Sequence, residues 1–200
     1  MDKTIFTNLS ELRSLHQSLK PHIHRTPILT SKSFNEFSDS ISFFKCENFQ
    51  KMGAFKMRGA LNAIMKLDKI EKSKGVVTHS SGNFAQAMSL SAKILGVNAT
   101  VVMPSTAPKV KKDAVRAYGG TIIECEPNLK AREETMLEYS NSTGATQLHP
   151  SNQKEVIDGN SSAAIEFLEE IPDLEVIITP VGGGGLLAGT ALAAKQINPQ

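Results

Sequence analysis

Short runs of apolar, often β-branched residues alternate along this chain with longer stretches whose apolar positions recur at helical spacing, and few folds accommodate that alternation. Residues 41–46 (ISFFKC) read as a strand, after which Met57, Ala60, Leu61, Ile64 and Met65 fall on one helical face. Residues 75–78 (GVVT) form a second apolar run, followed by Phe84, Ala87, Met88, Ala92 and Leu95. The unit then repeats. Residues 99–103 precede a helix over 108–118, 121–125 precede one over 128–142, 147–149 precede one over 161–170, and 175–179 precede one over 186–196. A polar helix over 8–20 comes before them all. Strand, helix, strand, helix is the signature of the α/β class, with parallel twisted sheets flanked by helices.

Composition narrows the function classes. The 200 residues carry 22 Lys+Arg against 20 Asp+Glu, a net charge of +2, with no long block of either sign. Nucleic acid is therefore not an obvious partner. No apolar run approaches the roughly 18 residues of a membrane span, and the first residues lack the apolar stretch and cleavage site of a secretory signal. These features predict a cytoplasmic protein without membrane contact. Cys46 and Cys125 stand alone, which excludes a disulfide framework, a zinc knuckle and a C-x-x-C motif. Both are predicted to be small buried apolar residues. His22 and His24 lack ligand partners at metal spacing, so residues 24–27 (HRTP) read as a solvated loop and no metal site is predicted. Lys109, Lys111, Lys112 and Arg116 read as a solvated helix face.

Three constellations carry chemistry. The first is residues 50–60 (QKMGAFKMRGA), where Lys56 opens a helix followed by Ala, Leu and Ile rather than by acidic partners. A lysine desolvated there, or depressed by Arg58, has a lowered pKa, and a neutral amine is what condensation with a carbonyl needs. Taken alone, a surface lysine in a turn is the plainer reading. The second is residues 78–83 (THSSGN), between a strand and a helix, where Ser80, Ser81, Gly82 and Asn83 suit a helix cap and a corner for a carboxylate, two roles that are compatible. The third is Gly182, Gly183, Gly184 and Gly185, after a β-branched run and directly before a helix. Such a loop lets the main chain approach a ligand and makes a phosphate cradle. A linker fits poorly between two regular elements. A P-loop is excluded because Gly-Lys-Ser/Thr is absent, and the dinucleotide pattern lacks its downstream acid.

In that order, the lysine segment, the Ser80–Asn83 corner and the glycine loop resemble one family. The chain looks like a fold-type II pyridoxal-phosphate (PLP) enzyme of the serine/threonine dehydratase group, near the serine racemases and threonine ammonia-lyases, with a tryptophan-synthase-β-like fold. Further matching segments are 24–27, 44–47, 106–108, 117–119, 149–150 and 180–181. The resemblance implies that Lys56 holds PLP covalently and then serves as base. It places Phe55 against the pyridine ring, Asn83 at the phenolic oxygen, and Gly182, Gly183, Gly184 and Gly185 around the phosphate. Ser80, Ser81, Gly82 and Asn83 match the loop that grips the substrate carboxylate, and Ser81 the residue that faces the opposite side of the α-carbon. The activity implied is β-elimination (deamination), racemisation, or both, on serine, threonine or a related hydroxy amino acid.

The resemblance also implies a small domain, 75–145, inserted into a large one made of 1–74 and 146–200. Family members are longer, so a truncated chain is expected, homodimeric when complete. The partner of the ring nitrogen and the divalent-cation ligands of the racemases are expected outside these residues. Several positions depart from the pattern: Phe84 replaces a usual His, residues 159–162 (GNSS) replace Gly-Gln-Gly-Thr, and Ser151 replaces an Asn. Lys51 is kept from the ATP-contacting positions of animal racemases, whereas Lys32 and Met52 differ. These departures leave the substrate open and motivate a second reading, a non-catalytic PLP- or amino-acid-binding relative.

Overall fold

The short β-branched runs pair into two separate sheets. The computed structural model describes residues 7–199. In chain order the elements are α1 (Leu9–Leu19), β1 (Ile28–Thr30), α2 (Lys32–Ser38), β2 (Phe43–Lys45), two 3-10 turns (Glu47–Phe49 and Lys51–Gly53), α3 (Lys56–Lys66), α4 (Lys69–Lys74), β3 (Val76–Thr78), α5 (Asn83–Leu95), β4 (Ala99–Pro104), α6 (Lys109–Ala117), β5 (Thr121–Cys125), α7 (Leu129–Thr143), β6 (Thr146–Gln147), α8 (Lys154–Glu170) and α9 (Gly185–Ile197). β1 and β2 form an antiparallel ribbon, with Leu29 opposite Phe44. The other four strands form one parallel sheet in the order β5-β4-β3-β6.

Alternation along the central strands assigns the two faces of that sheet. Val76, Val101 and Met103 enter a core with Phe84, Ala87 and Met88 of α5 and with Ala60 and Ile64 of α3. Val77 and Val102 point the other way, into a cluster with Ala145, Met136 and Tyr139. Both faces are therefore covered, as a buried parallel sheet requires. Beside the sheet, α1, α3, α8 and α9 pack on one another. Leu15, Leu19 and Ile23 meet Met57 and Leu61, and Leu12 meets Ala164, Ile165 and Ala193. Glycines set the spacing: a Cβ at Gly59 would lie 2.7 Å from the carbonyl of Val156, and one at Gly159 would lie 2.5 Å from the carbonyl of Arg58.

Four expectations change. Residues 175–179 form no strand and pair with none among the described residues, leaving Val176 and Ile178 73% and 90% exposed. A β-branched run needs a neighbour to make a ladder. Helix α8 begins at Lys154, several residues earlier than its apolar period suggests, because its small polar residues are buried against α3 rather than left in a loop. Both cysteines are half-buried, and the Cys46 thiol donates to the carbonyl of Phe44. Residues 24–27 are a loop with His24, Arg25 and Pro27 exposed, as expected, but the loop is tied down and Thr26 is buried: His24 Nδ1 meets the Phe49 carbonyl, Arg25 pairs with Glu169 and Glu170, and Thr26 donates to Glu47 at 2.6 Å. Among the described residues no helix is long and apolar enough to cross a membrane.

Candidate active site around Lys56

Lys56 is the first residue of α3, and Phe55 before it supplies no side-chain cap. The apolar face of the helix carries the first turn inward, leaving the lysine half-buried. Its amine donates to the carbonyl of Pro150 at 2.7 Å and lies 5.0 Å from the centre of the Phe55 ring and 5.9 Å from that of Phe84. It makes no ion pair among the described residues, so burial alone pulls its pKa below the ordinary lysine value. Of the two causes that the sequence allows, desolvation is the one that operates. Arg58 is occupied elsewhere.

The other two motifs converge on the same amine. Pro150 is followed by Ser151, which packs directly under the glycine loop: a Cβ at Gly183 would collide with its side chain, and one at Gly185 would lie 2.8 Å from its carbonyl. Gly182 and Gly184 face open space, and Gly184 takes a left-handed conformation (φ +81) suited to glycine. As the N-cap of α9, Gly184 leaves the first amides of that helix without a side-chain acceptor. Ser80, Ser81 and Gly82 form the half-exposed turn between β3 and α5, and Asn83 is the exposed first residue of α5. Gly82 likewise supplies no cap, so the helix-cap reading of this corner is set aside. Phe84, next to Asn83, brings the corner to Lys56.

Sequence reasoning missed two groups of residues. One is histidine: His149 Nδ1 accepts from the amides of Ser151 and Asn152 at 3.2 and 2.8 Å, which puts the ring proton on Nε2. Burial, then the nearby His79 and Lys56, lower its pKa. His79, His149, Gln147 and Asn152 help line a cavity of about 260 Å³. The other group is a buried set of charges beside Lys56. Arg58, 0% exposed, pairs with Glu47 at 2.8 Å and with Glu166 at 2.8 Å, and Lys45 joins Glu166 at 2.7 Å. Burial opposes the charge of Arg58, but the two carboxylates outweigh it and hold its pKa above the ordinary value. Burial also works against the Glu166 carboxylate, and Arg58 with Lys45 overcomes it and holds that pKa low. The one available signal was a charge on an otherwise apolar helix face. A larger cavity, about 300 Å³, lies beyond Phe55 among Phe43, Phe44, Ile177 and Leu186. It does not include Lys56.

A helix-borne amine without a counter-ion among the described residues, near an open glycine loop at a helix start, suits a cofactor enzyme that condenses a lysine with a carbonyl. Residues 19–200 match the pyridoxal-phosphate-dependent enzyme family, and the chain belongs to it. Its fold is that of the type II enzymes. It is 47% identical over 190 residues to a β-hydroxyaspartate dehydratase of Paracoccus denitrificans, covering 95% of this chain and 60% of that protein. Serine racemase of Arabidopsis thaliana is 48% identical over 192 residues, covering 96% and 58%. The solved serine racemase of Dictyostelium discoideum superposes with a TM-score of 0.93 at 46% identity, over 96% of this chain and 63% of that one. The chain thus spans about three-fifths of the length of the curated relatives it matches.

Proposed function

We propose that this chain carries the lysine-bearing part of a PLP enzyme that deaminates serine, threonine or a related hydroxy amino acid by β-elimination, racemises it, or does both. One observation carries the reading: three motifs far apart in sequence meet at one half-buried amine. Lys56 touches Pro150, Ser151 beneath it supports Gly183 and Gly185, and Phe84 brings the Ser80–Asn83 corner to the same place. The relatives named serine racemase and β-hydroxyaspartate dehydratase point to the same substrate class.

The residues present fit the cofactor. Lys56 offers an amine kept free of carboxylates, and the α9 start offers unpaired amides behind glycines with open space in front of them. Lys56 would hold PLP, Phe55 would flank its ring, Asn83 would meet its phenolic oxygen, and Gly182, Gly183, Gly184 and Gly185 would hold its phosphate. When bound, PLP supplies the electron sink that acidifies the α-carbon of the amino acid.

The chain's own groups do the rest. The uncapped start of α5 and the hydroxyls of Ser80 and Ser81 bind the substrate carboxylate. Lys56, whose pKa burial lowers, takes the α-proton. Loss of the β-hydroxyl as water leaves an enamine that tautomerises to an imine, and a water molecule hydrolyses the imine to a 2-oxo acid and ammonia. Return of a proton from Ser81 on the opposite face leaves the amino acid inverted at its α-carbon. Residues 75–145 act as a small domain whose closure over the site excludes water.

The test is incubation of the full chain with PLP and either L-serine or L-threonine, reading 2-oxo acid and enantiomer together. The protein should take up PLP with a visible absorption band, and borohydride should leave the cofactor mass on the peptide containing Lys56. Lys56→Ala should lower turnover about a thousandfold. A colourless protein that takes up no PLP overturns the reading. A PLP-loaded protein that binds serine but releases neither product supports the binding relative instead.

A further inference from the structure

Lys56 owes its surroundings to the way α3 sits on α8. Its hydrogen-bond acceptor, Pro150, lies in the loop that leads into α8, so any slide or pivot between the two helices moves the amine relative to that carbonyl. The contact between them is close. Gly59 and Gly159 meet backbone to backbone, with the Cβ position of Gly159 only 2.8 Å from the Gly59 Cα. Val156 and Asn160 of α8 pack over Gly59, and Asn62 of α3 packs over Gly159, but van der Waals packing fixes direction less sharply than a hydrogen-bonded fork does. Asn62 adds one peg, donating to the carbonyl of Glu155 at 2.6 Å.

Arg58 sits between Lys56 and this contact, and every N–H of its guanidinium is used. Nε and Nη2 donate to the two carboxylate oxygens of Glu47, each at 2.8 Å, while Nη1 and Nη2 donate to the two of Glu166 at 2.8 and 2.9 Å. The remaining Nη1 hydrogen goes to Ser162 at 3.2 Å. Lys45 and Thr26 complete the set: Lys45 donates to Glu166 and to the Thr26 carbonyl, and Thr26 donates to Glu47. Two cations and two carboxylates cancel, so the cluster is neutral. Well-packed apolar residues would stabilise such a contact at least as well as buried ions do. What a planar double fork adds is geometry, because it fixes both direction and distance at once.

We propose that Arg58 is a positioning residue for Lys56: its forks onto Glu47 and Glu166 set the register of α3 against α8 and so hold the Lys56 amine at the Pro150 carbonyl. Neutralising itself with two glutamates, Arg58 acts through placement and not through its charge. The groups that face Lys56 are the Phe55 and Phe84 rings, the Pro150 carbonyl and the nearby His149. No carboxylate among the described residues pairs with it. The inference rests on the reading of Lys56 as the cofactor-bearing amine only for its consequence in catalysis; the placement itself is a property of this chain.

The experiment measures the pH dependence of Lys56 acetylation by trace acetic anhydride, read by peptide mass spectrometry on the full chain freed of PLP. Arg58→Lys keeps the charge and loses the forks, and Glu47→Gln removes one carboxylate at the most exposed corner of the cluster. Leu12→Ala, which opens the packing against Ala164 and Ile165, is the destabilised control. In Arg58→Lys the midpoint of the profile should rise by about one pH unit as the amine comes out of its buried seat, with a smaller rise in Glu47→Gln and none in Leu12→Ala. An unmoved midpoint in the folded cluster variants, or an equal rise in Leu12→Ala, overturns the proposal. If Arg58→Lys does not fold, Glu47→Gln decides alone. Borohydride trapping in the wild type separates the two readings: cofactor absent from Lys56 refutes the proposed function, while the acetylation profile still judges the placement.

Discussion

The contact between α3 and α8 and the mouth formed by the starts of α5 and α9 are built on opposite rules. In the contact, most polar atoms are used up, Asn160 Oδ1 being the exception. Arg58 spends all its donors on Glu47, Glu166 and Ser162, Asn62 reaches a carbonyl, and glycine backbones touch. At the mouth they are left over. Gly82 and Gly184 cap nothing, Asn83 is exposed, and Gly182 faces open space. Elsewhere Asn8, Ser31, Asp68 and Asn128 cap α1, α2, α4 and α7 with their side chains. Pro108 and Gln153 leave α6 and α8 uncapped too, so a missing cap does not mark the mouth; a glycine in the cap position does. A ligand site is where the fold declines to satisfy itself. The closed contact beside it holds that open geometry in place.

The same substitution at a glycine of each region gives the largest contrast. Gly159→Ala drives a methyl group to 2.5 Å from the Arg58 carbonyl and 2.8 Å from Asn62 Cβ. Neither neighbour can swing away without moving a helix, so about 3 kcal/mol or more of stability should go. Gly182→Ala meets nothing within 4 Å and should change stability by less than about 1 kcal/mol, while weakening PLP uptake. Urea melts of both, with PLP titrations, measure the difference. Equal destabilisation would mean that the two regions are packed alike.

Next in size is a pH effect on the closed side. His16 of α1 is 1% exposed, and neither ring nitrogen has a partner. Burial, only partly offset by Glu166, takes its pKa down to about 4. Because the unfolded chain binds this proton more tightly, stability is full above about pH 6.5 and falls as pH drops toward 4. By about pH 4.5 this one group should cost roughly 2 kcal/mol relative to pH 7. His16→Gln should flatten that part of the profile in thermal or urea melts. A variant whose stability falls with the wild-type slope would show that His16 is not the titrating group.

Legibility in the sequence followed the same division. The parallel sheet could be read because β3, β4 and β5 are local runs rich in apolar residues, and residues 121–125 form β5 with the bounds that their pattern suggests; the polar two-residue β6 could not be placed as well. The mouth could be read because a lysine, a serine corner and a glycine loop in that order are chemically unusual. The charge cluster could not, since Arg58 and Glu166 stand 108 positions apart and nothing in periodicity pairs a cation in one helix with an acid in another. Nor could the state of residues 175–179 be read, because a run such as EVIIT records the propensity of a strand and not the presence of a neighbour. The cause of the lowered Lys56 pKa was open for the same reason. Only three-dimensional placement tells desolvation from a neighbouring charge.

The smallest effect on stability falls at the mouth, where adding a cap should help the fold and harm the site. Gly82 precedes α5 with φ −115 and ψ −149, and a Cβ there meets nothing within 4 Å, so Gly82→Ser is free to turn its hydroxyl to the first amides of the helix. A serine cap in place of glycine is worth a few tenths of a kcal/mol. If those amides are where the substrate carboxylate binds, the new hydroxyl competes with it, and capture of L-serine by the PLP-loaded protein should weaken about tenfold, the scale of one hydrogen bond to a charged group. Asp68→Ala gives the opposite control. It removes the capping box of α4, should lose about 1 kcal/mol, and should leave serine binding alone. Spectral titration with L-serine alongside melts of both variants tests the pair. Should Gly82→Ser stabilise the chain without touching serine affinity, the α5 start is an ordinary glycine turn and the carboxylate is held elsewhere.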